Sequence, residues 1–386
     1  MRTVPRLMVT VLLVAVAVIG WRLWPETQVQ VESPRASADL RSALGDAAGN
    51  DGYARAEAVR AFTFPEDHGP HPGYRNEWWY LTGTLATPGG RRFGYQLTFF
   101  RIALAPGAVA SDSGWRTRQV YMAHFAVSDL EAASHHGFER FARAAADLAG
   151  ATNPPLRVWL DHWQMQALDP SGFPLRVQAS AEGIALDLEL APEKPVVLNG
   201  EQGLSRKGAG IGNASYYYSV TRLASDGEIR IGDNEFQVTG TSWLDREWST
   251  SALSEGQAGW DWFALQLDDG RDLMLYRMRR DDGGTDPASA GTLVDREGAV
   301  ESLGADDIVF RALETWTSPA TGVSYPLRWE LRLPGHDLAL LVTPAFEAQE
   351  MDVTVRYWEG AITVQGEQAG RPVSGRGYME LAGYAD

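Results

Sequence analysis

The sequence predicts an all-β protein: two β domains in tandem, barrels or sandwiches, behind an N-terminal membrane anchor or signal segment. Three observations carry this expectation. From Glu77 onward apolar residues come in short or alternating runs, the period-two pattern of half-buried strands. Turn material such as Pro88-Gly89-Gly90, Asp169-Pro170-Ser171-Gly172 and Glu182-Gly183 breaks these runs about every 8–12 residues. In the body, only residues 134–148 have helical spacing, through Phe138, Phe141, Ala145 and Leu148.

The elements follow in order. Arg2 and Arg6 precede an apolar run at 7–21, which Arg22 closes, so residues 1–25 read as a signal anchor or signal peptide. The run is short for a spanning helix of about 20 residues. It also lacks a well-placed cleavage site, which favours an uncleaved anchor. Residues 26–60 read as a polar linker with two short amphipathic stretches, 36–48 and 53–62. The first β domain is expected over 61–195, with strands at 78–86, 92–103, 119–127, 157–168, 175–181 and 184–190. The second is expected over 196–386. There a strand at 214–223 turns at Ala224-Ser225-Asp226-Gly227 into 228–238, and Asp268-Asp269-Gly270-Arg271 joins 260–267 to 271–278 as a hairpin. Strands at 303–313, 324–333, 338–342, 357–364 and 375–381 complete it.

Composition excludes several functions. The chain has 386 residues and no cysteine, which removes disulfides, thiolate metal sites and cysteine nucleophiles. Its net charge of −16 repels phosphate backbones, so nucleic acid is not an expected partner. No metal-binding histidine spacing, serine-nucleophile elbow or phosphate-binding loop occurs, so neither a metal nor another cofactor is expected.

Two clusters carry chemistry. In the first, His71-Pro72-Gly73-Tyr74-Arg75-Asn76-Glu77-Trp78-Trp79-Tyr80, strand alternation sends Trp78 and Tyr80 to one face and Glu77 and Trp79 to the other. Glu77 is either a fixed acid in an aromatic pocket or a core acid paired with an arginine such as Arg101 or Arg143. The second cluster is Thr241-Ser242-Trp243-Leu244-Asp245-Arg246-Glu247-Trp248-Ser249, followed by Trp260-Asp261-Trp262-Phe263. Asp245 and Glu247 are candidates for an acid–base pair, against the plainer reading of an ion network closing a barrel end. His124 shares a strand face with Met122 and Ala126, the usual setting of a core histidine.

These segments resemble the AttH-like, lipocalin-like proteins related to carotenoid 1,2-hydratase. The resemblance runs through 74–80, Tyr95-Gln96-Leu97-Thr98-Phe99-Phe100-Arg101, His124-Phe125-Ala126-Val127-Ser128-Asp129, 140–150 and 243–248. It closes on Tyr357-Trp358-Glu359-Gly360 and Gly377-Tyr378-Met379-Glu380-Leu381-Ala382-Gly383-Tyr384, covering roughly 62–384. It implies two lipocalin-like domains and an exported protein, associated in some relatives with an ABC-type permease. It also implies a second-domain motif Asp-His-Asn-Trp and a following Tyr-x-Asp pair. Here Asp245, Trp248 and Tyr276 match, while Arg246, Glu247 and Met278 stand in place of the His, Asn and Asp. Arginine cannot exchange protons near neutral pH. Acid chemistry would therefore pass to Asp245 or Glu247, with Tyr276 as partner.

The expectation is an envelope protein on the extracytoplasmic side, anchored in the inner membrane through its N-terminal segment. It would bind an apolar or amphipathic small molecule through Glu77, Trp79, His124, Trp243, Arg246, Trp248 and Trp262. It would then serve a transport system or, alternatively, act as a hydratase- or cyclase-like enzyme on an isoprenoid or other hydrophobic substrate.

Overall fold

The computed structural model describes residues 50–107, 113, 115–251 and 253–385. The expected anchor and most of the linker lie outside them. Among the described residues no helix is long and apolar enough to cross a membrane. The described residues form two curled antiparallel sheets with almost no helix, as the alternation predicts.

The first sheet contains β1 (Asn76–Ala86), β2 (Arg92–Ala103), β3 (Gln119–Asp129), β4 (Ser134–Arg143), β5 (Ala149–Thr152), β6 (Arg157–Leu160), β7 (Trp163–Ala167), β8 (Leu175–Ala181) and β9 (Ile184–Pro192). Then come the short β10 (Val197–Leu198) and β11 (Leu204–Arg206), and the long β12 (Ala214–Ile231) and β13 (Asn234–Ser249). The second sheet contains β14 (Gln257–Leu267), β15 (Asp272–Arg280), β16 (Ala290–Val294), β17 (Val300–Leu303), β18 (Val309–Thr317), β19 (Ser324–Leu333) and β20 (Leu338–Pro344). It ends with β21 (Glu350–Met351), β22 (Tyr357–Gln368) and β23 (Arg371–Ala382).

Both sheets follow one plan. In the first, the closing hairpin β12–β13 inserts between β1 and β9; in the second, β22–β23 inserts between β14 and β20. The correspondence extends to side chains. Glu77 on β1 lies opposite Arg101 on β2, and Asp261 on β14 lies opposite Arg277 on β15. The tandem relation between the halves, which no residue-by-residue repeat reveals, is a relation of strand order and register.

Several expectations are corrected. The division between the sheets falls between Ser249 and Gln257, not near 195, because β12 and β13 complete the first sheet. Residues 134–143 are β4 rather than helix: they pair with β3 along their length, and Phe138 packs on Phe125. Pairing to a neighbour overrides weak helical spacing. Residues 224–227 are not a turn but the middle of β12, paired on both sides. Gly227 is there because a Cβ at that position would lie 2.1 Å from the Asp187 carbonyl oxygen. The expected strand at 157–168 is the hairpin β6–β7, and 303–313 is split between β17 and β18. Finally, 53–62 forms no helix. Residues 50–75 run as a strap over the first sheet, held where Asn50 Nδ2 donates to the Thr250 carbonyl at 2.9 Å and the Tyr216 hydroxyl donates to the Ala58 carbonyl at 2.8 Å.

Strand alternation divides most of the apolar residues among three layers, beside a smaller cluster of Tyr216, Tyr218 and Trp248 under the strap. Trp79, Leu81, Phe99 and Phe125 fill the first sheet, and Phe263, Leu265, Trp329 and Trp358 fill the second. Their strand neighbours point the other way. Tyr80, Tyr217, Trp243, Trp262, Tyr276 and Tyr357 meet in a third layer shared by both sheets.

Candidate functional site

The shared layer contains a cavity of about 190 Å3. An apolar cavity of about 150 Å3 accommodates benzene, so there is room for a group of one ring or slightly more. Trp78, Tyr80, Phe100 and Met122 line it from the first sheet, and Trp260, Trp262, Tyr276 and Tyr357 from the second.

β13 brings acid to this cavity by alternation. Asp245 and Glu247 point into it, while Leu244, Arg246 and Trp248 point away. Asp245 is buried and accepts three hydrogen bonds: from the Tyr217 hydroxyl, from Ser219 Oγ at 2.5 Å and from Trp243 Nε1 at 2.7 Å. All three donors are neutral. Burial dominates, aided by the negative charge of Glu247, and pushes the Asp245 carboxyl up to about 7 despite the donors. Glu247 instead has a cation, Lys207, whose Nζ lies 3.1 Å from Oε1. Burial pulls the Lys207 ammonium down, but Glu247, Tyr276 and Asp245 outweigh it and hold it above its ordinary value. Its Nζ sits 4.3 Å from the Tyr276 ring centre and 4.9 Å from that of Tyr217.

On the neighbouring wall His124 Nδ1 lies 2.8 Å from the Tyr357 hydroxyl and Nε2 lies 3.1 Å from Glu139 Oε1. Gln96 Nε2 donates to the same Tyr357 oxygen at 2.9 Å. The histidine is thus held at both nitrogens, beside the cavity it lines. Tyr276 donates weakly to the Arg206 carbonyl at 3.3 Å, and Trp262 Nε1 lies 3.2 Å from the Tyr217 hydroxyl.

The predicted site residues therefore separate into two groups. Glu77, His124, Asp245, Glu247, Trp262 and Tyr276 line the cavity; Trp79, Trp243, Arg246 and Trp248 do not. Trp243 stands behind Asp245 and holds it. Arg246 is fully buried on the far face, bonded to Glu77 and stacked 3.9 Å from the Trp79 ring centre. Trp248 lies under the strap, with His71 parallel to it at 3.7 Å. Glu77 reaches the cavity but is tied to Arg101 and Arg246 and accepts the His71 backbone N–H at 2.9 Å. The pairing with Arg101 is the one the plainer reading named; the second partner is Arg246, not Arg143.

Three cavity residues were missed, Lys207, Tyr217 and Glu380, together with Glu359 behind the wall. The available signal was an acid where alternation demands an apolar residue. Glu359 lies between Tyr357 and Ala361 on one strand face, and Glu380 between Tyr378 and Ala382. Among the described residues, no group of three or more His, Asp or Glu is placed to hold a metal.

A profile of the AttH-like family matches residues 55–384. The chain belongs to the AttH-like family. An AttH protein from Nitrosomonas europaea superposes with a TM-score of 0.77 and 37% identity, covering 86% of this chain and 99% of that one. Kievitone hydratase from Nectria haematococca superposes with a TM-score of 0.66 at 16% identity, over 86% of this chain and 96% of its own, a likeness of fold. In sequence, dehydratase asqC of Emericella nidulans is 25% identical over 223 residues, 54% of this chain. Kievitone hydratase of Fusarium solani subsp. phaseoli is 22% identical over 223 residues, 53% of this chain. The match spans 60% and 59% of the length of those two proteins. The lipocalin-like, hydratase-related reading of the AttH-type motifs thus stands. Transport finds no support among these relatives.

Proposed function

We propose that this AttH-like protein is a hydratase- or dehydratase-type enzyme acting on an apolar small molecule in the cavity between its sheets. Asp245 would exchange the oxygen-bound proton. The observation that carries this reading is a buried carboxyl with a pKa of about 7, facing an aromatic cavity. In the hydration direction, a proton adds to one alkene carbon and water adds to its neighbour. The surplus proton of that water passes to the Asp245 carboxylate. In the reverse direction Asp245 gives the proton to the leaving hydroxyl and the C–O bond breaks. The faces of Trp78, Trp260 and Trp262 favour positive charge on the carbon skeleton between these steps. Lys207 pairs with Glu247, whose charge adds to the burial that raises Asp245. The names of the hydratase and dehydratase relatives support the reaction class. The basic-then-apolar N-terminal segment supports an envelope location on the extracytoplasmic side.

The test is incubation of the full-length protein with kievitone and with isoprenoid alkenes in water labelled with oxygen-18, followed by mass spectrometry. Label should enter the product, and Asp245→Asn should lower the rate about 10²–10⁴-fold. A retained ligand, with no turnover by the wild type on any of these probes, would instead make the protein a carrier.

A further inference from the structure

Hydration also needs an acid that protonates carbon, and the wall opposite Asp245 offers one. Glu359 on β22 and Glu380 on β23 face each other directly in register. Glu359 is 1% exposed, and its Oε1 accepts the Tyr80 hydroxyl at 2.6 Å. Its Oε2 is buried, and no N–H or O–H among the described residues reaches it. Glu380 lines the cavity and accepts Trp260 Nε1 at 2.5 Å.

Among the described residues no cation faces the pair. The titratable groups facing the pair are Tyr80 from β1, Tyr357 and Tyr378 from the pair's own strands, and Glu247 from β13. Burial keeps the tyrosines neutral, and Glu247 is a further acid that raises Glu380. Two carboxylates so placed lose hydration and repel, and the strain is relieved when one keeps its proton and donates it to the other. The orphaned Oε2 of Glu359 is then partnered by Glu380. Burial and the neighbouring charge push Glu359 well above the usual carboxylate range, and burial raises Glu380 as well.

We propose that Glu359 and Glu380 hold one proton between them and that Glu380 is the general acid of the cavity, with Glu359 as its positioning residue. The acid role rests on the hydratase reading; the shared proton does not. In the hydration step the proton leaves Glu380 for an alkene carbon, and the π electron pair becomes the new C–H bond. Water bonds to the adjacent carbon and its proton goes to Asp245. The glutamate pair is left doubly ionised and Asp245 protonated, and exchange with solvent water restores both.

Infrared spectroscopy of the full-length protein in heavy water at about pH 9, above the Asp245 value of about 7, tests the shared proton without any substrate. The wild type should show a protonated-carboxyl carbonyl band. Glu359→Gln and Glu380→Gln should each shift it, the two substitutions together should remove it, and Asp245→Asn should leave it. Both amides are neutral isosteres, and circular dichroism checks that they fold. A wild type without the band, or a band surviving both substitutions, overturns the proposal. Turnover of an oxygen-18-labelled substrate then tests the acid role. Glu380→Gln should lower it about 10²–10⁴-fold, and an unchanged rate refutes that role. A band with no turnover by the wild type refutes the hydratase reading and leaves the shared proton standing.

Discussion

Glu77 and Asp245 occupy adjacent strands, three residue pairs apart in one ladder, and both are buried. Their chemistry is opposite. Glu77 faces two guanidiniums, and although burial opposes it, Arg246 and Arg101 hold its carboxyl well below the usual range. Asp245 receives three neutral donors and rises to about 7. A buried acid with cations beside it is a permanent charge that ties strands together. One with only neutral donors is a proton store. The motif Asp-Arg-Glu-Trp contains both kinds of environment, because alternation sends its arginine to the structural knot and its acids to the cavity.

Breaking the knot should have the largest effect. Arg246→Met leaves Glu77 with one guanidinium in place of two and should cost about 3–5 kcal/mol in urea unfolding. A cost below about 1 kcal/mol would dissolve the distinction drawn here. The pH dependence should be of comparable size and opposite at the two sites. Asp245 binds its proton more tightly folded than unfolded. Its stabilising contribution is therefore full below about pH 4 and is lost as pH rises through about 7, a change on the order of 4 kcal/mol. Asp245→Asn should flatten that part of the urea-midpoint profile. Glu77 acts in reverse: its contribution is present above the usual carboxylate range and is lost as pH falls, so Glu77→Gln should flatten the acid limb. Next comes Lys207→Met, which leaves Glu247 without its cation and should cost about 1–3 kcal/mol. It should also raise the pH at which Asp245 titrates in a pH–rate profile, because a positive neighbour is gone. Smallest is Tyr276→Phe. Its hydroxyl makes only long contacts, 3.2 Å to Ser205 and 3.3 Å to the Arg206 carbonyl, so about 1 kcal/mol or less is expected. A rate loss beyond tenfold would show that this hydroxyl touches the reacting atoms.

The class of fold was legible because period-two alternation is local. Residues 92–103, 175–181 and 324–333 have the strand bounds that their turns and patterns announce. What was not legible depends on partners distant in sequence. Residues 224–227 look like a turn until β9 and β13 flank them. Residues 134–143 look helical until β3 lies alongside. Asp245 and Glu247 were recognisable as acids between tryptophans, yet nothing in that window says which side chains face the cavity. Glu380 needs Glu359, more than twenty residues earlier in the chain and invisible as a partner until β22 and β23 align. Lys207 owes its place to the loop between β11 and β12, which composition does not encode.

The insertion of β12–β13 between β1 and β9 has a consequence for biosynthesis. β1 finds its neighbour β13 only after about 160 further residues have been made. Until then a nascent chain bears two open sheet edges, β1 and β9, with unpaired backbone groups and apolar faces. The same hairpin carries Tyr217, Asp245 and Glu247. The first sheet is therefore completed, and half of the cavity wall with it, in a single late event that couples maturation to assembly of the acid centre. Such long-range closure folds slowly and exposes sticky intermediates. A chain ending at 195 should accordingly accumulate as aggregate, and one ending just past β13 should be the shortest to yield a soluble first sheet.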